Sequence, residues 1–225
     1  MIIKTLIPAR SGSKRIPDKN IKLLNGTPLM VYSILTSREV PEITETYVST
    51  DSKEYAGIAK EWGVKVINRP KKLCGDDVGD YPVIMHALKA MGPVDLIVYL
   101  RPTTPFRSSE TIRRAIKTLI AAKDKATGLR SVHEMSESAW KCCEIHFGFI
   151  SPISGLKDMD RVNDELPKTY QPNGYVDICK PEMIKAGHLW GPDIIAFKTP
   201  WVIELDTEDQ WQYAEWLGDR VKVYG

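Results

Sequence analysis

The sequence predicts an α/β fold: a mostly parallel sheet with helices on both faces, carrying a smaller protruding lobe. Three observations lead there. Short apolar runs alternate with longer amphipathic ones through the first half of the chain. Glycines close two of the amphipathic runs. The alternation breaks between about residues 131 and 190 and then returns.

Taken in order, IIKTLIPA (2–9) reads as a buried strand and PLMVYSILTSREV (28–40) as a helix with proline in its first turn. ETYVST (45–50) is a second strand, followed by the helix SKEYAGIAKEWG (52–63), stopped by Gly63. VKVIN (64–68) is a third strand. DYPVIMHALKAMG (80–92) is a helix ending in glycine, and DLIVYL (95–100) a strand apolar enough for a sheet centre. SSETIRRAIKTLIAAK (108–123) opens on Ser108 as a capping residue, with Thr111 where a glutamate would complete the box. Strands alternating with helices imply parallel pairing through right-handed crossovers. From 131 to 190, prolines, glycines and aromatics suggest a lobe of hairpins and loops. Regular patterning resumes with DIIAF (193–197), WVIELD (201–206) as a strand, TEDQWQYAEWLG (207–218) as a helix, and RVKVY (220–224).

The 225 residues are enough for one domain with a real core, and a net charge of +2 supplies no global field toward nucleic acid or an anionic membrane. No run approaches the roughly 18 apolar residues of a membrane span. MIIKTLIPAR lacks a signal-peptide h-region and cleavage site, and Cys74, Cys142, Cys143 and Cys179 form no CxxC pair. The expectation is a cytoplasmic protein with reduced thiols.

Ligands of open α/β sheets bind beyond the carboxyl ends of the strands. There the sequence places IPARSGSKRIPDKN (7–20), with Arg10, Lys14, Arg15 and Lys19 against the single acid Asp18. Ser11, Gly12 and Ser13 can turn backbone N–H groups inward, a concavity suited to phosphate, and Arg10 and Lys14 add charged donors. Neither a Walker A motif nor GxGxxG is present. RPTTPFR (101–107) reads as a stiff loop whose threonines and arginines bind a sugar or base, or merely close a turn. Arg69 of NRP can reach phosphate or ribose, or lie on the surface. Glu204 and Asp206 stand at i and i+2 on one face. They hold Mg²⁺ beside a polyphosphate, or else Asp206 or Thr207 simply caps the next helix. QPNGYVDI (171–178) reads as an Asn-Gly hairpin. Trp62, Trp201, Trp211 and Trp216 are expected in the core.

These motifs resemble, in order and over nearly the whole chain, the acylneuraminate cytidylyltransferases, which include bacterial legionaminate- and pseudaminate-type enzymes. The matches are IPARSGSKRIPDKNIKLLNGTPLM, VSTDS, NRP, YLRPTTPFR, LPKTYQPNGYVDI and ELDTEDQWQYAE. The resemblance implies a Rossmann-like nucleotidyltransferase sheet over 1–225, with the 131–190 lobe pairing two subunits into a homodimer and completing the sugar pocket. It implies transfer of a nucleotide from CTP to a nonulosonic acid, with Mg²⁺. Arg10, Ser13 and Lys14 match the triphosphate loop, Lys19 and Asn20 the phosphate and ribose pair, and Arg69 a nucleotide contact. Asp206 with Glu204 matches the metal pair, and Tyr170 and Asn173 fall where the sugar pocket is shaped. Three positions depart from the sialate pattern. Glu204 replaces aspartate. Arg101, beside Thr103 at the sugar-acid pocket, replaces glutamine. Asp80 stands where a small hydroxyl residue is common near the base, which makes GTP conceivable. A Kdo-type enzyme and an inactive nucleotide-sugar binder are the other readings.

Overall fold

The computed structural model describes residues 1–220; the end of RVKVY, from 221 on, lies outside the described residues. The chain opens with β1 (Ile3–Pro8), five of whose six residues are buried. A short ladder follows, β2 (Leu23–Leu24) against β3 (Thr27–Pro28). Asn25 and Gly26 between them both take positive φ, the backbone of a tight hairpin turn that this pair of residue types favours. Helix α1 (Leu29–Arg38) starts one residue after Pro28, so the proline caps the helix instead of entering its first turn.

Then come β4 (Ile43–Thr50), α2 (Lys53–Glu61), β5 (Lys65–Asn68), α3 (Asp80–Met91), β6 (Leu96–Tyr99) and α4 (Ser109–Ala122). The Ser52 hydroxyl caps α2 by accepting from Tyr55 N–H. Ser108 sits at the α4 cap position but its side chain makes no cap bond. Its N–H goes instead to the Tyr175 hydroxyl. The rest comprises β7 (Gly128–Glu134), β8 (Cys143–His146), β9 (Phe149–Pro152), β10 (Tyr170–Cys179), α5 (Pro181–Lys185), β11 (Ile194–Lys198) and α6 (Glu208–Gly218).

Seven strands form one sheet in the order β11-β7-β10-β6-β1-β4-β5. Only β10 runs against its neighbours, β6 and β7; the remaining pairs are parallel. Alternate strand residues face opposite sides, and the core divides accordingly. Ile7, Val48 and Val98 pack beneath α1 and α4 in one cluster. Leu6, Tyr47, Ile97 and Tyr99 pack against α3 on the other side. A third cluster joins Ile16, Leu24 and Leu29 to Leu205 and Trp211, and so docks α6 on the loop after β1.

Four expectations change. The lobe is narrower than 131–190, because β7 and β10 belong to the central sheet; only the stretch between them, with the β8–β9 hairpin, stands apart from it. Pro172, Asn173 and Gly174 hide β10 from a pattern reading. The structure absorbs them in a register shift between Pro172 and Asp177, a bulge in one strand and not a hairpin turn. WVIELD is extended but pairs in no sheet. Its alternation survives because Ile203 and Leu205 are buried against Trp211 while Glu204 faces out. Of the tryptophans, Trp211 is core and Trp62 partly so, whereas Trp201 and Trp216 are exposed.

Ile97 is fully buried at the sheet centre. Ile97→Ala is therefore expected to lower the unfolding free energy by about 2–5 kcal/mol in a urea titration. A loss below about 1 kcal/mol would mean that the Leu6–Ile97–Tyr99 side is not close-packed.

Candidate active site

The carboxyl ends of β1, β4, β5 and β6 deliver Arg10, Asp51, Arg69 and Arg101 to one edge of the sheet. Two adjoining hollows lie there. The first, about 200 Å³, is lined by Arg10, Ser13, Lys19, Asn20, Arg69, Asp80, Tyr99, Arg101 and Thr103 among others. The second, about 460 Å³, shares Arg10, Ser13 and Lys19 and adds Lys14, Arg15, Asp76 and Asp206. A larger hollow, about 680 Å³, opens at the opposite end of the strands among Met1, Asp95, Leu119 and Lys180, away from every basic loop residue.

The loop after β1 is held by three carboxylates. Asp51 accepts from both the N–H and the hydroxyl of Ser11, each at 2.8 Å. Burial pushes the Asp51 carboxyl up, but these bonds outweigh it and leave its pKa lowered. Asp76 accepts from Arg10 and Lys14. Asp206 accepts from Lys19 at 2.7 Å and lies 3.7 Å from Arg15. Asn20, buried, donates to the Arg10 carbonyl and so fixes the loop's own backbone. Ser11 and Gly12 line neither hollow. The Ser11 N–H already serves Asp51, and the expected cradle narrows to Ser13 and the side-chain cations.

Arg69 is 6% exposed and donates to Ser49, through Nε to the hydroxyl and Nη2 to the carbonyl. Among the described residues no carboxylate pairs with it, and burial pulls its pKa down. A buried guanidinium with no carboxylate in direct contact, beside a hollow, is stabilised when an anion enters.

Arg101 is the opposite case. Its guanidinium bridges Asp177 and Asp80 at 2.6 Å each and lies 4.8 Å from the centroid of the Tyr99 ring. Burial alone would lower its pKa; the two carboxylates override that and raise it. Tyr99 takes the other Asp80 oxygen at 2.7 Å. Each oxygen of Asp80 thus already accepts one bond within the protein. Arg107, buried, donates to the carbonyls of Arg101, Gly174 and Tyr175, closing the RPTTPFR turn onto β10.

The capping question at α6 resolves. Thr207 is the cap, with Gln210 completing a capping box. Asp206 is left free to turn its carboxylate toward Lys19. Glu204 lies along the same extended segment, 3.5 Å from the Thr103 hydroxyl. No group of three or more His, Cys, Asp or Glu side chains suited to a metal occurs among the described residues. Mg²⁺ characteristically takes one or two carboxylates and completes its shell with phosphate oxygens and water; Asp206 beside the basic hollow fits that donor set.

Tyr170 and Asn173 do not join the hollows. Lys198 donates to the Tyr170 hydroxyl at 2.7 Å, drawing the ring toward β11. The Asn173 amide is spent inside the β10 bulge, between Thr199 and the Tyr175 N–H. Pattern reading missed Asp51, Asp76, Tyr99 and Asp177. Asp177 did carry a signal: a lone charge in the apolar run YVDIC of a sheet strand requires a partner.

The site thus consists of a mostly parallel sheet's carboxyl edge, a basic loop after its first strand and an acid opposite. A profile of the cytidylyltransferase family matches residues 5–142, and the chain belongs to that family. It is 28% identical over 219 residues to the N-acylneuraminate cytidylyltransferase of Escherichia coli O18:K1:H7, covering 94% of this chain and 50% of that protein. To the CMP-N,N'-diacetyllegionaminic acid synthase of Legionella pneumophila it is 38% identical over 122 residues, 52% of this chain and 53% of the other. The chain spans about half the length of these curated relatives. Among solved structures, a CMP:2-keto-3-deoxy-manno-octonic acid synthetase complexed with CTP shares the fold, with TM-score 0.75, 15% identity and coverage of 98% and 99%.

Thr207→Ala is expected to cost about 1 kcal/mol in chemical unfolding, with Thr207→Ser restoring most of it. A loss of that size from Asp206→Ala together with a silent Thr207→Ala would return the cap to Asp206.

Proposed function

We propose that this chain is a Mg²⁺-dependent nucleotidyltransferase that joins CTP to a nonulosonic, sialic-acid-like sugar, giving a CMP-sugar and pyrophosphate. The observation that carries the proposal is Arg69, a buried guanidinium beside a hollow with no carboxylate partner among the described residues. An anion supplied by substrate would complete it.

In this reading Arg10, Ser13, Lys14 and Lys19 meet the triphosphate, and Arg69 meets the nucleotide. Asn20 holds the loop in shape. Asp206, with Glu204 two residues before it, holds Mg²⁺, which supplies charge neutralisation on the phosphates. The sugar's anomeric oxygen bonds to the α-phosphorus as the bond to pyrophosphate breaks. Transfer of this kind rests on positioning and charge stabilisation more than on a protein nucleophile. Thr103 and the wall formed by Arg101 border the sugar acid. CTP is favoured over GTP by the names of the relatives.

A homodimer is part of the proposal. Ile145, Phe147, Phe149 and Ile150 on the β8–β9 hairpin are all exposed, Phe147 completely; apolar groups concentrated on one projection favour burial against a second copy. No helix among the described residues is long and apolar enough to cross a membrane.

The test is pyrophosphate release with Mg²⁺, using CTP, GTP, UTP and ATP against sialic, legionaminic and pseudaminic acids and Kdo. CTP with one nonulosonate is the expected pair, and Lys19→Ala is expected to lower kcat/KM by about 100-fold or more. Release with Kdo alone would move the substrate class. Tight CTP binding with no release from any pair would leave a nucleotide-sugar binder.

A further inference from the structure

Asp76 stands between Leu73 and Asp80, in a segment with no regular secondary structure. Its two carboxylate oxygens take two different cations of the loop after β1. Oδ1 lies 2.5 Å from Arg10 Nη2, and Oδ2 lies 2.6 Å from Lys14 Nζ. The same Arg10 donates through Nη1 to the Cys74 carbonyl at 2.8 Å, so the loop and the segment are stitched together at two neighbouring points. Lys14 and then Arg10 hold the Asp76 carboxyl down at about 2.

This placement has a consequence for any anion that enters. Asp76 lines the second hollow together with Arg10, Ser13, Lys14 and Lys19. A polyphosphate there would draw on the same two cations that Asp76 holds and would bring further negative charge up against its carboxylate. The carboxylate and the polyphosphate therefore compete for Arg10 and Lys14. Asp76 is 45% exposed and Lys14 81%, so the ion pairs are screened and their release costs little. Asp51 binds Ser11 and lines neither hollow, whereas Asp206 lines the second hollow but faces Lys19 and Arg15.

We infer that Asp76 is a built-in competitor for the polyphosphate site: its carboxylate occupies Arg10 and Lys14 in the empty protein and gives them up when a polyphosphate binds. The inference rests on the reading of the loop as the triphosphate site. It orders the basic loop while the site is empty, when Arg10 and Lys14 would otherwise repel each other. It also gives the product side a device, since a returning carboxylate competes with pyrophosphate for the same donors.

The experiment is calorimetric titration of the full chain with inorganic tripolyphosphate and with pyrophosphate, for wild type, Asp76→Asn, Asp77→Asn and Arg10→Ala. Asp77 is the control for net charge, because it loses the same unit charge one residue away and is a partner of neither Arg10 nor Lys14. Asp76→Asn is expected to bind both anions about three- to tenfold more tightly, Asp77→Asn to change by less than about twofold, and Arg10→Ala to bind more weakly. Equal tightening in the two Asn variants would reduce the effect to bulk charge and overturn the competitor. Unchanged or weaker binding by Asp76→Asn, with Arg10→Ala still weakened, would overturn the competitor and leave the triphosphate site standing. Undiminished binding by Arg10→Ala would remove the site itself, and the inference with it.

Discussion

Repulsion among like charges is the constraint around which this edge of the molecule is arranged. Arg10, Lys14, Arg15 and Lys19 occur within ten residues, and Arg69 arrives close enough for Arg10 to lower its pKa. A folded protein does not concentrate positive charge in this way without counter-charge or a use for it. Asp76 and Asp206 provide most of the counter-charge, while Asp51 holds the start of the loop by its Ser11. None of these carboxylates meets Arg69, and that one omission gives the site its direction.

The supporting architecture follows from the need to bring these groups together. Asp51 comes from the end of β4, Asp76 from the approach to α3, and Asp206 from the entry to α6. Parallel strands place the first of these automatically, since their carboxyl ends share an edge. The third requires its own packing. Leu205 and Trp211 bury themselves against Ile16, Leu24 and Leu29, so a residue near the chain's far end faces the loop after its first strand.

A second charge system runs through the sheet beside the first. Arg101 lies between Asp80 and Asp177, and Asp177 in turn lies 3.4 Å from Arg130 Nε. Two acids and two bases alternate from the start of α3, through the loop after β6, to β10 and β7. Arg69 and Arg101 line the same hollow with opposite electrostatic characters, one without a carboxylate and one with two. The same residue type serves as a receptor for charge in one place and as a rigid wall in the other.

The parallel strands, their helices and the basic loop were legible from sequence, because each depends on local periodicity or on charges that are neighbours along the chain. Arg10, Lys19 and Asp206 were legible for the same reason. β10 was not. Proline, asparagine and glycine mask a strand whose bulge exists only because β7 and β6 hold it from both sides. The α6 cap was present in the local pattern, since Thr207 and Gln210 have capping-box spacing, but local pattern could not show that Asp80 binds Arg101 and Tyr99, or that Tyr170 and Asn173 line neither hollow. Those outcomes depend on side chains that meet across 19 to 28 residues of chain, and only the tertiary structure sets those distances. By itself the sequence determined where charge and apolar surface lie along the chain; the packing decided which charges are paired and that, among the described residues, no carboxylate pairs with Arg69.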